Sequence, residues 1–138
     1  MNNYLEKLEY NKILGKLSNY ATTYLGKNLI LTLLPSNNKE QVKYMLKETE
    51  EAVNLLYRCN TPPISEIADN TINIKTVESY GTLSIKSILE LTNILCISEN
   101  LKKYFSADFI DINEFSCLEN IFSQLYSNTS ITEKYKIV

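Results

Sequence analysis

The amino-acid sequence predicts an all-α fold, an irregular bundle of about five to six helices. Three observations predict it. Apolar residues recur at steps of three and four through most of the chain. Polar cap residues stand just ahead of these runs. The three prolines fall between the runs, never inside them.

The first run is "LEKLEYNKILGKLSNYATTYLGKNLILTLLP". Tyr10, Ile13, Leu17, Tyr20 and Tyr24 form one stripe, and Leu14, Ala21 and Leu25 widen it. This predicts an amphipathic helix with one buried face. Asn11 offers a cap at its start. Gly26 costs about 1 kcal/mol inside a helix relative to Ala. Either a close helix crossing offsets that cost or the helix breaks there. Pro35 ends the segment. In the second run, Asn37 or Ser36 offers the cap, with Glu40 three residues after Asn37. Val42, Met45, Leu46, Thr49, Val53 and Leu56 make the apolar stripe. Lys43, Lys47, Glu50 and Glu51 are expected on the wet side.

"CNTPPISEIADN" excludes regular helix through its two adjacent prolines and reads as an ordered connection. "TINIKTVESYGTL" alternates like a short strand at Ile72 and Ile74, yet Ile67, Thr71, Ile74 and Val77 also fit a helix. The helical reading is preferred, ending near Gly81. Next comes the clearest long helix, "LSIKSILELTNILCISENLKKYF", capped by Ser84. One stripe runs through Ile88, Leu91, Leu95, Ser98, Leu101 and Phe105, and a second through Ile85, Leu89, Thr92 and Cys96. A helix apolar on two sides is mostly surrounded by other helices. "INEFSCLENIFSQLY" gives a last, shorter helix. The chain then ends among Tyr135, Ile137 and Val138, whereas termini are more often polar and frayed. It is expected to be a fragment of a longer chain.

The length of 138 residues suits one domain with its own core. The expected division is a single helical domain, 1–138. Within it, 1–60 holds a first helical pair or triplet, 61–82 a connection and short helix, and 83–138 the long helix plus a shorter C-terminal one. Three unpaired cysteines without histidines, Cys59, Cys96 and Cys117, fit small buried hydrophobes in a reducing cytoplasm. No apolar run approaches a membrane span, so no membrane partner is expected.

Charge and composition exclude more than they suggest. The formal net charge of -2 supplies no bulk field toward a polyanion. Residues 1–60 carry eight Lys/Arg against six Asp/Glu, and 61–138 carry six against ten. Histidine is absent, which removes the commonest general base and every Ser-His or Cys-His nucleophile pair. Three glycines (Gly15, Gly26 and Gly81) cannot build a glycine-rich phosphate loop, and GxxxxGK[ST] does not occur. Glu48, Glu50 and Glu51 cluster without a second ligand set and read as a solvated face. No catalytic, cofactor-binding or metal-ligating residue is therefore expected. Lys102 and Lys103, the adjacent basic pair, are the candidate nucleic-acid contacts, and two lysines contribute little without neighbours. Tyr10, Tyr20 and Tyr24 read as core, not as base-stacking platforms.

The pieces "LEKLEYNKIL", "YATTYLGKNL", "LLPS" and "ETEEAVNLL", in that order, resemble the N-terminus of the bacterial MutS2 family within the MutS superfamily. Thr23, Gly26, Lys27, Leu29, Leu33, Pro35, Ala52, Val53 and Leu56 match its core-domain pattern. The resemblance is close over about residues 4–57 and looser to about residue 105. Ser65, Glu66 and Ala68 depart from it, standing where the family usually has glycines and an arginine. Any phosphate contact of that arginine is not carried over.

The resemblance implies a partial MutS-like core domain ahead of the long lever and clamp helices. The parent would be a homodimeric ATPase using ATP and Mg, usually with a C-terminal Smr nuclease. It would act on branched or recombining DNA, suppressing homologous recombination, and on collided ribosomes. This segment would link the clamp and lever helices to the ATPase, with the remainder of the same chain as its first partner. The alternative reading is an independent helical protein-interaction module with no nucleic-acid role.

Overall fold

A computed structural model describes residues 8–106 and 110–135 of the chain. The apolar end at Ile137 and Val138 and the first residues of the MutS2-like stretch lie outside the described residues. Those described form seven α-helices and one 3-10 turn, with no strand among them. The helices are α1 (Tyr10–Ser18), α2 (Tyr24–Leu31), α3 (Lys39–Cys59), α4 (Thr71–Glu78), α5 (Ile85–Phe105), α6 (Ser116–Ser123) and α7 (Thr129–Tyr135). The 3-10 turn, Ile112–Phe115, leads into α6. The fold is all-α as expected, with more helices than expected, for two local reasons. The opening run breaks into two helices, which makes residues 1–60 the triplet of the expected pair or triplet, and α7 follows the helix expected to be the last.

The chain divides into two compact units. One comprises Met1–Pro35 with Ser65–Asp69, the other Ser36–Ile64 with Asn70–Val138. In the first, α1 packs on α2 and Leu14 is its buried side chain. The break between them falls at Asn19–Thr23, ahead of Gly26. Thr23 is extended, and its Oγ1 accepts from the Gly26 amide at 3.1 Å to cap α2. Gly26 is therefore in the first turn of a helix rather than in mid-helix. A Cβ there would sit 2.8 Å from Thr23 Oγ1, so the small residue keeps the cap intact. Asn11 is not the cap of α1. That place is held by Glu9, in a left-handed conformation with φ 52° and no capping side-chain bond. The Tyr10 hydroxyl donates to the Leu33 carbonyl at 3.4 Å, and the Tyr24 amide to the Ile67 carbonyl at 3.5 Å. The second bond ties the connecting segment after the prolines to this unit.

In the second unit, α3 starts at Asn38. Its Oδ1 accepts from the amides of Glu40 and Gln41 at 3.0 and 3.2 Å. Asn38 takes the cap expected of Asn37 or Ser36, while Ser36 Oγ accepts from the Asn38 amide. Ser84 caps α5 as expected, accepting from the Ser87 amide at 3.1 Å. α4 confirms the helical reading of the ambiguous segment. It closes with Tyr80 at φ 57° and the Gly81 amide donating to the Thr76 carbonyl.

The core of this unit is Leu55, Phe105, Ile110, Phe115 and Leu118, with Ala52, Cys59, Tyr104 and Phe122 against it. Phe105 stacks on Phe122 with ring centroids 4.2 Å apart, and meets the edge of Phe115 at 6.4 Å. Such pairs add about 0.5–1.5 kcal/mol beyond area burial. Arg58 bridges to Glu114 and lies over the Phe115 ring at 5.4 Å, joining the end of α3 to the 3-10 turn. α7 packs on α5, where buried Thr132 donates to Glu99 at 3.3 Å.

Candidate functional site

Three local arrangements in the second unit carry most of its unusual chemistry. The first is a buried carboxylate. Glu51 projects from the middle of α3 and is only 4% exposed. Its Oε2 accepts from the amides of Cys117 and Leu118, at 2.8 and 3.1 Å, in the first turn of α6. Free amides and the positive end of the helix dipole favour a carboxylate there. Lys47, one turn earlier on α3, reaches Glu51 Oε1 at 3.5 Å and donates to Ser116 Oγ at 2.9 Å. Burial pushes the Glu51 carboxyl up. The two backbone amides, the Cys117 thiol and the Lys47 charge outweigh burial and hold it below its ordinary value. Burial and the Glu51 charge push the Cys117 thiol up, which makes it unreactive.

This corrects the expectation of a solvated acidic face. Glu51 is a long-range cap that fastens α6 to α3. No short-range signal marks it, because the amides that it binds come more than sixty residues later. Oε1 makes no hydrogen bond, although it faces the Lys47 ammonium. Among the described residues no group of three or more His, Cys, Asp or Glu is placed to hold a metal ion.

The second arrangement surrounds the lysine pair. Lys102 and Lys103 lie in the last turn of α5, where cations complement the helix dipole. Lys103 pairs with Glu99 at 3.1 Å, and Lys102 Nζ reaches Ser127 Oγ at 3.4 Å. Both line a shallow cavity of about 440 Å³ that Glu99 and Glu119 also line. Two cations thus share their cavity with two carboxylates.

The third is an apolar groove of about 290 Å³. Leu55 and Leu56 of α3, Leu101 and Tyr104 of α5, and Ile121 and Leu125 on the α6 side line it, with Pro62 and Ile64 of the connecting segment. The Tyr104 hydroxyl donates to the Asn60 carbonyl at 2.8 Å, leaving the walls without a free polar group from that side chain.

The predicted apolar stripes fare unevenly. On α3 the buried positions are Glu51 and Leu55, while Leu46, Val53 and Leu56 of the expected stripe are exposed. Tyr20, expected in the core, is 87% exposed, and Tyr24 is 50% exposed. Tyr10 alone of those three is half-buried. α5 meets its expectation: most positions from Ser87 to Leu101 are at least half-buried.

Three similar proteins carry the name Endonuclease MutS2. That of Acetivibrio thermocellus is 35% identical over 94% of this chain and 16% of its own length. That of Ruminiclostridium cellulolyticum is 33% identical over 92% of the chain, again 16% of its own length. The Bacillus thuringiensis protein is 28% identical over 94% of the chain. The chain spans about one sixth of the length of these curated relatives. No family model matches it. No solved structure matches it.

Proposed function

We infer that this chain, which is related to the MutS2 endonucleases over nearly its whole length, is a non-catalytic core segment at the N-terminus of a protein of that type. The observation that carries the reading is the extent of the match: more than nine tenths of this chain against one sixth of each relative. ATP hydrolysis with Mg, strand cleavage and dimerisation then belong to other parts of the parent protein. Its substrate is branched or recombining DNA, and collided ribosomes are a second target. The place of action is the cytoplasm.

The task of the segment is mechanical. Packed helices have discrete arrangements, so they pass motion of an ATPase on to clamp helices as a switch between states. Glu51 supports this reading. A buried carboxylate cap makes α3 and α6 move together, since separating them would strand a charge and two amides. DNA contact by Lys102 and Lys103 is a minor part of the proposal, given the neighbouring carboxylates.

The purified 138-residue chain tests it. ATP turnover and DNA cleavage should stay at the blank rate. Titration with a labelled four-way junction should show weak binding at most. Turnover, or tight binding that falls steeply with salt, would place catalysis or a phosphate surface in this segment and contradict the reading.

A further inference from the structure

We propose that the apolar groove between α3, α5 and α6 receives one amphipathic helix, which inserts two or three aliphatic side chains into it. The origin of that helix in the remainder of a longer chain rests on the reading above. The groove itself rests on geometry.

Leu56 is 47% exposed, Ile64 41% and Ile121 46%. All three line the same groove, so its rim as well as its floor is apolar. No charged residue lines it. The volume of about 290 Å³ suits two or three leucine-sized side chains. One helix delivers such a set from successive turns, at i, i+3 or i+4 and i+7. Glu51 ties together two of the helices that line the groove. It fixes the start of α6 against α3, and these two helices form facing walls.

A second copy of the chain is a poorer occupant. A two-fold contact sets a patch against itself, and a concave groove facing its own copy leaves both grooves unfilled. Insertion of a different face of a second copy closes a dimer or a ring or builds an open chain, and each of these depends on protein concentration. A convex helix from the remainder of a longer chain fills the groove intramolecularly, at an effective concentration that a second copy reaches only in concentrated solution. The relatives, about six times longer than their matched stretch, have ample further chain to supply one.

The chain contains no tryptophan, so one introduced at the rim reports on the groove alone. Ile121→Trp is the first reporter, and Ile64→Trp, outside the helices, serves if the first does not fold. The probe is an eighteen-residue peptide with leucines at i, i+4 and i+7 and alternating Lys and Glu elsewhere. Its control has the same composition with the leucines out of helical register. The expected result is a blue shift of emission that saturates at one peptide per chain. The control peptide should bind at least tenfold more weakly, and Leu56→Lys should weaken binding by a similar factor. Equal binding of both peptides would overturn the proposal. So would no binding, or emission already blue-shifted in a concentration-dependent way, which would mean that copies of the chain fill the groove. A reading frame without an ATPase beyond Val138 would sink the MutS2 reading and the origin of the helix in the same chain, and leave the peptide result unaffected. Failure of the peptide in a chain whose frame does encode that ATPase would sink the groove alone.

Discussion

Glu51 shows how one residue can reverse a reading of its neighbourhood. Three glutamates within four positions of a helix look like a wet face, and Glu48 and Glu50 do not contradict that. Only a partner distant in sequence turns Glu51 inward. Its replacement by Ala should cost about 1–3 kcal/mol, because two helix-start amides lose their acceptor inside the protein. Urea unfolding at neutral pH measures this, and a loss below a few tenths would contradict the capping role. The pH dependence follows from sign. The folded carboxyl titrates below its ordinary value of 4.5, so its stabilisation is complete above that pH. It is lost as pH falls through the folded value. The stability gap between wild type and Glu51→Gln should therefore shrink in acid, and a gap unchanged across the acid range would refute the assignment.

At the scale of elements, caps were legible in part, with Ser84 in place, Asn11 replaced by Glu9 and the α3 cap shifted, and burial was less so. Ser84 and the close of α4 near Gly81 follow from local rules, as does the proline-bounded connection. The cap of α3 was displaced by one residue, to Asn38, because Ser36, Asn37 and Asn38 all carry suitable side chains. Asn38→Ala should cost about 1 kcal/mol in thermal or urea unfolding. An unchanged midpoint would show that Asn37 or Ser36 substitutes freely. Tyr80 holds a left-handed conformation at 99% exposure just beyond α4, a place that glycine occupies without strain. Tyr80→Gly should raise stability by about 0.5–1 kcal/mol. A fall would mean that the tyrosine ring has a contact worth more than its backbone strain. The apolar stripe of α3 misled because that helix is apolar on more than one side. Periodicity marks a greasy face and cannot say whether the same unit covers it.

For the molecule as a whole, the all-α class expected from periodicity is the one that the structure shows among the described residues. An all-α chain without histidine or a phosphate loop was visible in the sequence, and so was the MutS2 resemblance. The division into two units was not. It depends on residues 65–69 joining the first helices, a pairing that no local rule encodes. Within the first unit Leu25, Leu29 and Leu31 of α2 are all exposed, and within the second so are Leu46, Val53 and Leu56 of α3, more apolar surface on each helix than single scattered residues would leave in water. The isolated chain should therefore bind a hydrophobic dye in its native state and self-associate as concentration rises, both measurable by fluorescence and sedimentation. A dye-silent monomer at high concentration would contradict that.

The most direct measurement is the nucleotide sequence that follows the codon for Val138 in the gene. A helical core segment of a MutS2-type protein predicts an open frame of several hundred further codons that includes a GxxxxGK[ST] phosphate loop. A stop codon directly after Val138 would contradict the account, as would a long frame without that motif.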